Sequence, residues 1–281
     1  MTTKVTSEKF DKLGKLLKNM ESIIVAYSGG VDSTFLAALA HQKLGGNSMA
    51  VIASSPSLPP GELENATNVA ETLGLNYRII QTHEVDEPGY AENGPRRCYF
   101  CKHHLYENFR SLADKEGYLH VIDGATIDDK NDFRPGATAA RELNIRSPLV
   151  ETGLTKQEIR SYSKKMGLPT WDKPAQACLS SRVPYGTPVT IETLHQISSA
   201  EQFLHKIGIQ QLRVRHHGNT ARIEISSQDM KRLIRPNLRQ QIVDRFKELG
   251  YLYISIDLEP YQTGNLNREL RPRTPNNRIN S

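Results

Sequence analysis

A parallel α/β sheet with helices on both faces, followed by a smaller α+β unit, is the fold this sequence predicts. Three observations predict it. Apolar runs of strand length alternate with helical patterns from the start of the chain to about residue 185. One of those runs ends in a turn of small residues, "YSGGVDS", that opens directly into a helical pattern. Beyond about residue 185 the texture changes to a long helix, two short strands, two more helices and a last strand.

The elements follow in order. Residues 7–20 carry an amphipathic helical pattern. Expected strands are 22–27, 49–53, 76–81, 119–123 and 146–150, and expected helices are 32–44, 61–73, 98–114, 136–143 and 155–166. This alternation predicts a ligand at the carboxyl ends of the strands, near the switch in strand order. In the second part, 190–207 is a helix with Leu194, Ile197, Phe203, Leu204 and Ile207 on its apolar side. "QLRVRHHG" and "ARIEIS" are strands around a Gly-Asn turn, 228–234 and 237–249 are helices, and "YLYISID" is a strand. The expected domains are therefore 1–185 and 186–261, with a polar tail at 262–281, rich in Pro, Asn and Arg, expected to be disordered. No internal repeat is visible.

Composition narrows the function. The chain has 281 residues, 37% of them hydrophobic, and no apolar run near the length of a bilayer span, so no membrane role is expected. The N-terminus lacks the apolar core of a signal peptide. Only 3 Cys argue against a disulfide scaffold and for a reducing, cytoplasmic home. A net charge of +5 suits an anionic small substrate or RNA; a mildly basic surface is the plainer reading, preferred over nucleic acid because no long basic run appears.

The turn "SGGVDS" is an anion site by construction. The first N–H groups of a helix point outward, and the helix dipole favours negative charge there. Gly29 and Gly30 let backbone approach a phosphate. Ser28 and Ser33 offer hydroxyl donors, and Asp32 is placed to cap the helix or to help hold Mg²⁺. A Walker loop would need a Gly-Lys-Ser/Thr end, which is missing here. "DGATIDD", Asp123–Asp129, follows a predicted strand and resembles the nucleotide-lining "DG-x-N-x-D-D" segment of the ATP pyrophosphatases, with the Asn replaced by Ile127 or shifted; the resemblance implies Gly124 as a ligand. "DFRPG" places Arg134 just before a helix, as a ligand or as a solvated turn residue.

The cysteines occupy two places, "RCYFCK" with Cys98 and Cys101, and "PAQACLSSR" with Cys178. Cys98 and Cys101 share one helix face, and basic neighbours at a helix start should pull their thiols toward thiolate. A redox pair, a Zn²⁺ site, three ligands of an iron–sulfur cluster and small core residues are all open readings. Arg182 stands four residues past Cys178. Arg213 and Arg215 alternate on one strand face and are candidates to clamp a phosphate. The pair His216-His217 reads as turn chemistry.

"SGGVDS" resembles the PP-loop of ATP pyrophosphatases, which implies a Rossmann-like nucleotide domain and cleavage of ATP between the α- and β-phosphates. Over nearly the whole chain, "AYSGGVDSTFLA", "RCYFCK", "DGATIDD", "RPG", "ACLSSRVPYG", "LRVRHHG", "ARIE" and "TGNLN" resemble the LarE family of ATP-dependent sulfur insertases. The resemblance implies that ATP with Mg²⁺ adenylates a nucleotide-like carboxylate, pyridinium-3,5-biscarboxylic acid mononucleotide, on the way to a nickel-pincer cofactor. It implies Cys178 as the sulfur-bearing residue, either sacrificed or joined with Cys98 and Cys101 on a [4Fe–4S] cluster. It implies Glu201 and Asp229 as further metal-binding candidates, a solvated helix face and a helix cap being their plainer readings. It also implies a homo-oligomer, a hexamer, served by iron–sulfur assembly proteins and a sulfide source. A tRNA thiolase would normally add RNA-binding extensions or zinc ribbons, which are missing. An NAD synthetase would leave the cysteines unexplained, and a non-catalytic nucleotide-binding regulator would release no pyrophosphate.

Overall fold

The computed structural model describes residues 2–131, 135–262 and 265–270. The chain divides into two compact units, one of Met1–Ala91 with Arg96–Cys178, the other of Glu92–Pro95 with Leu179–Ser281. The division falls between Cys178 and Leu179, earlier than the boundary expected at 185.

The first unit runs α1 (Thr2–Lys18), β1 (Ile23–Ala26), α2 (Val31–Leu44), β2 (Ser48–Ser54), α3 (Glu62–Thr72), β3 (Tyr77–Gln81), α4 (Pro88–Ala91), α5 (Arg97–Glu116), β4 (His120–Ile122), α6 (Gly136–Glu142), α7 (Pro148–Glu151) and α8 (Lys156–Lys165). Its strands are all parallel, in the order β3-β2-β1-β4. Successive side chains on a strand point to opposite faces, and the core divides accordingly. Ile23, Val25, Ala50, Ile52 and Ile122 pack with Leu13, Phe35, Leu36 and Ile159. Ile24, Met49, Val51 and Val121 pack with Tyr106, Phe109, Ala139 and Ala140. Helices therefore cover both faces, as the alternating pattern predicted.

One expected strand is absent. Residues 146–150 make a single parallel bridge, Arg146 to Ile122, and Pro148 then opens the short helix α7. Proline lacks the N–H a ladder needs and its fixed φ suits a helix's first turn, so the apolar run "PLV" coils instead of extending.

The second unit runs α9 (Ile191–Lys206), β5 (Leu212–His217), β6 (Thr220–Ile225), α10 (Ser227–Leu233), α11 (Pro236–Glu248) and β7 (Tyr253–Ile256). The strand order is β5-β6-β7, with β5 and β6 antiparallel and β6 and β7 parallel. Leu204, Leu212, Val214, Ile223, Ile225 and Phe246 form its own core. His216 belongs to β5, buried and 3.3 Å from the Tyr251 hydroxyl, rather than to the turn. Asn265–Leu270, in the tail expected to be disordered, form a 3₁₀ turn; residues 263–264 and 271–281 lie outside the described residues.

Candidate functional site

In the first unit the strand order reverses between β1 and β4, and a crevice for ligand is expected outside the strand ends at such a point. Ser28–Ser33 leaves β1 there. Gly29 has φ of 68°, and a Cβ on it would lie 2.8 Å from the Cβ of Ala66 in α3. No side chain fits that position. Gly30 is the N-cap of α2, with extended backbone and no side-chain capping bond. Asp32 thus stands inside the first turn and does not cap the helix. The Ser33 hydroxyl accepts from the Ser28 N–H at 3.2 Å, and the two hydroxyls lie 3.1 Å apart. The turn is fixed by its own side chains, with the first N–H groups of a well-packed 14-residue helix behind it.

The segment after β4 closes onto this turn. A Cβ on Gly124 would come within 3.1 Å of the Ser33 nitrogen. Asp123 accepts from the Tyr106 hydroxyl at 2.8 Å and the Ser147 hydroxyl at 2.7 Å, which makes it a hub of the backbone here. Asp128 accepts from the Lys156 N–H at 2.7 Å, and Asp129 pairs with the Lys156 ammonium at 2.8 Å. Burial lifts the Asp32 carboxyl to about 6; Lys156 and Arg160 oppose the rise, and Asp129 and Asp128 add to it. Arg134 lies outside the described residues.

A cation the motif lacks comes from far along the chain. The Lys173 ammonium lies 2.8 Å from Glu62, in the first turn of α3, and 3.3 Å from the Gly29 carbonyl. Arg160 holds the backbone beneath it by donating to the carbonyls of Trp171 (2.9 Å) and Lys173 (2.8 Å). Sequence reasoning missed Lys173, because its partners are remote in sequence and its own surroundings, "DKPAQ", carry no periodicity. It also missed Glu84, a carboxylate only 3% exposed. Glu84 accepts from Ser55, from Ser57 at 2.8 Å and from Thr82 at 3.0 Å, so it gathers the loops that follow β2 and β3.

Cys98 and Cys101 occupy the start of α5, Cys98 exposed and Cys101 half-buried. Each feels the charge of Cys178, so the three thiols share one neighbourhood of the first unit. Their acidity is the reverse of the expectation. Desolvation by surrounding protein raises both thiols, Cys101 to about 12, and Cys178 and, for Cys101, Glu84 add to the rise. Arg97 and Lys102 pull Cys98 the other way, and Lys102 does so for Cys101, without prevailing.

Among the described residues no three Cys, His, Asp or Glu side chains gather closely enough to hold a single metal ion. Mg²⁺ asks for less, since it keeps several waters and takes one or two carboxylates plus substrate phosphates. Asp32 fits that demand. Three thiols are the donor type of an iron–sulfur cube, which needs its ligands farther apart than a lone ion does. The cysteines fit it in kind.

The second unit holds a buried guanidinium–carboxylate network. Arg182 is 1% exposed and grips Glu201 through two bonds, of 3.0 and 2.9 Å; Glu201 also accepts from the Val214 N–H at 2.9 Å. Arg215 grips Glu224, fully buried, at 2.9 and 2.7 Å, and donates to the Ser181 carbonyl at 2.7 Å. Arg213 differs. It donates to the Leu212 carbonyl at 2.7 Å and lies over the Tyr261 ring, 4.9 Å from its centroid. Burial, then Arg182, push its pKa down. An anion would relieve that charge. Asp229 sits in the first turn of α10, where its N–H and carboxylate are both bonded to the cap Ser226. Glu201 and Asp229 are therefore engaged by protein groups.

Comparison with known proteins places this architecture. The NAD synthase family matches residues 7–97, a stretch that holds the Ser28–Ser33 turn and stops short of Cys98. An uncharacterised protein of Synechocystis sp. is 44% identical over 93% of this chain and 98% of its own. An uncharacterised protein of Methanocaldococcus jannaschii is 31% identical over 90% of the chain and 98% of its own. The pyridinium-3,5-bisthiocarboxylic acid mononucleotide synthase of Lactiplantibacillus plantarum is 33% identical over 90% of the chain and 92% of its own length. A likeness that spans both units, and not the phosphate loop alone, shows that the chain belongs to the LarE family, that of this synthase.

Proposed function

We propose that this protein is an ATP-dependent sulfurtransferase that converts a carboxylate of pyridinium-3,5-biscarboxylic acid mononucleotide to a thiocarboxylate, in the making of a nickel-pincer cofactor. What supports the reading is that one unit of a LarE-family chain carries the Ser/Gly turn at the head of α2, the buried Asp32 in that turn and three neighbouring thiols.

A carboxylate oxygen is a poor leaving group. Attack of that oxygen on the α-phosphorus of ATP forms an acyl-adenylate and expels pyrophosphate. A sulfur nucleophile then attacks the acyl carbon and AMP departs. Ser28, Gly29, Gly30 and Ser33 hold the β- and γ-phosphates on the α2 N-terminus, with Gly124 closing the far wall. Asp32 would hold Mg²⁺, which would offset phosphate charge, and Lys156, Arg160 and Lys173 balance the charge of the departing pyrophosphate. Cys178, with Cys98 and Cys101, would hold a [4Fe–4S] cluster whose bound sulfide, replenished after each transfer, is that nucleophile; on the sacrificial route the Cys178 thiol itself attacks, and its Cβ–S bond then breaks with loss of the Cα proton, leaving dehydroalanine. Arg213 binds an anionic group in the second unit, with Arg215 and Arg182 holding the backbone around it. The three reduced thiols suit a cytoplasmic setting. The exposed apolar residues Leu252, Tyr253 and Leu258, in and beside edge strand β7, support a homo-oligomer.

The test follows pyrophosphate release and the oxygen-to-sulfur mass change of the mononucleotide. Wild type should show both and Gly30→Val neither. Undiminished pyrophosphate release in Gly30→Val removes the phosphate-turn assignment.

A further inference from the structure

The strap between Lys173 and Cys178 joins two parts of the site that the reaction must use in order. We propose that Lys173 is a positioning residue that couples ATP occupancy of the Ser28–Ser33 turn to the placement of the Cys178 thiol. The inference rests on the assignment of that turn as the ATP site.

Three observations carry it. The Lys173 ammonium is divided between Glu62 at 2.8 Å and the Gly29 carbonyl at 3.3 Å, so it sits on the phosphate turn itself. An ammonium has three N–H donors, and these two acceptors leave one for a phosphate oxygen. The backbone on the N-terminal side is pinned, because Arg160 holds the carbonyls of both Trp171 and Lys173. The C-terminal side is built differently. Residues 174–178 have no secondary structure, and Pro174, Ala175 and Gln176 are exposed. A change in the aim of Lys173 is resisted upstream and passes downstream, toward Cys178.

ATP supplies the driving force. A triphosphate carries several negative charges and competes for the ammonium with one carboxylate and one neutral carbonyl. The pair with Glu62 is only partly buried, with side chains 20% and 13% exposed, so breaking it costs little. Phosphates on the turn therefore draw Lys173 off Glu62. Pyrophosphate departure returns it. The thiol would take one position while adenylation proceeds and another once pyrophosphate has left. Such coupling is reciprocal: what ATP does to the strap, the strap does to ATP affinity.

The experiment measures alkylation of each cysteine by iodoacetamide in metal-free protein, site by site by mass spectrometry, with and without Mg-ATP. ATP binding is followed separately by calorimetry. In wild type, Mg-ATP should change the Cys178 rate by about threefold or more, the scale of a partly exposed ion pair. Glu62→Gln, without nucleotide, should shift the Cys178 rate with the same sign, because it frees the ammonium as ATP does. Lys173→Met should still bind ATP, more weakly, and show no ATP-dependent change at Cys178. Wild type that binds ATP with an unchanged Cys178 rate overturns the coupling and leaves the ATP site standing. Wild type that binds no ATP overturns the site and the coupling together. A Lys173→Met protein that keeps the full ATP response overturns the role of Lys173 alone.

Discussion

Burial holds the Asp32 carboxyl at about 6, above the ordinary 3.8, so ionising it at neutral pH works against the fold. A folded pKa raised above the unfolded one means the folded state holds the extra proton. Its stabilising share is complete below pH 3.8 and is lost as pH rises through about 6. Asp32→Asn should therefore raise the stability of nucleotide-free protein at pH 7, by on the order of 1–2 kcal/mol, while abolishing pyrophosphate release. Thermal unfolding and a pyrophosphate assay check the two halves. The arginines of β5 should separate in the same way. Arg215→Ala leaves Glu224 buried with only Arg222 nearby, at 3.4 Å, and should cost about 3 kcal/mol in urea unfolding. Arg213→Ala removes a cation that burial and Arg182 disfavour. It should cost under about 1 kcal/mol yet weaken binding of the mononucleotide by calorimetry. Equal losses of stability in both variants would refute this division. Sequence placed Arg213 and Arg215 on one face correctly. It could not rank them, because Glu224 reaches Arg215 only through the β5–β6 pairing.

The turn between β1 and α2 is the element on which catalysis is proposed to depend, and its tolerance is narrow. Gly29→Ala puts a side chain at positive φ, costing about 1–2 kcal/mol, and drives its Cβ against Ala66. The variant should fold with a lowered Tm and lose ATP binding measured by calorimetry. The N-cap of α8, the helix that carries Lys156 and Arg160, is a second local feature. Thr155 and Glu158 form a reciprocal capping box, and Glu158 also pairs with Lys9 of α1 at 2.9 Å. Thr155→Ala should cost about 1 kcal/mol in thermal unfolding. The turn is legible in the chain as "SGG", because small residues at a strand end are adjacent in sequence, whereas its crowding by Ala66 is not. The run 146–150 misled. Its apolar residues read as a strand, but Pro148 sets the backbone, and only Arg146 finds a ladder partner.

For the protein as a whole, the division of labour among the cysteines is the question that decides mechanism. Three thiols in one neighbourhood suit a shared cluster, whereas a sacrificial donor needs Cys178 alone. Cys98→Ala, Cys101→Ala and Cys178→Ala should each lose bound iron and sulfur transfer, and reconstituted wild type given sulfide should turn over repeatedly. Transfer of one sulfur by Cys98→Ala, with Cys178 left as dehydroalanine, would establish the sacrificial route instead. Much of this could be read from the chain before any fold was known. Alternating periodicity announced the parallel sheet, small residues at a strand end announced the turn at the head of α2, and the paired cysteines announced a helix face, because each signal is carried by residues close in sequence. Three-dimensional packing settled the rest. It raised the thiols that basic neighbours seemed bound to lower, since desolvation outweighs two nearby cations. It engaged Glu201 and Arg182 with each other, and it brought Lys173 to Gly29. Burial and long-range pairing depend on which distant residues meet, and no local pattern in a chain encodes that.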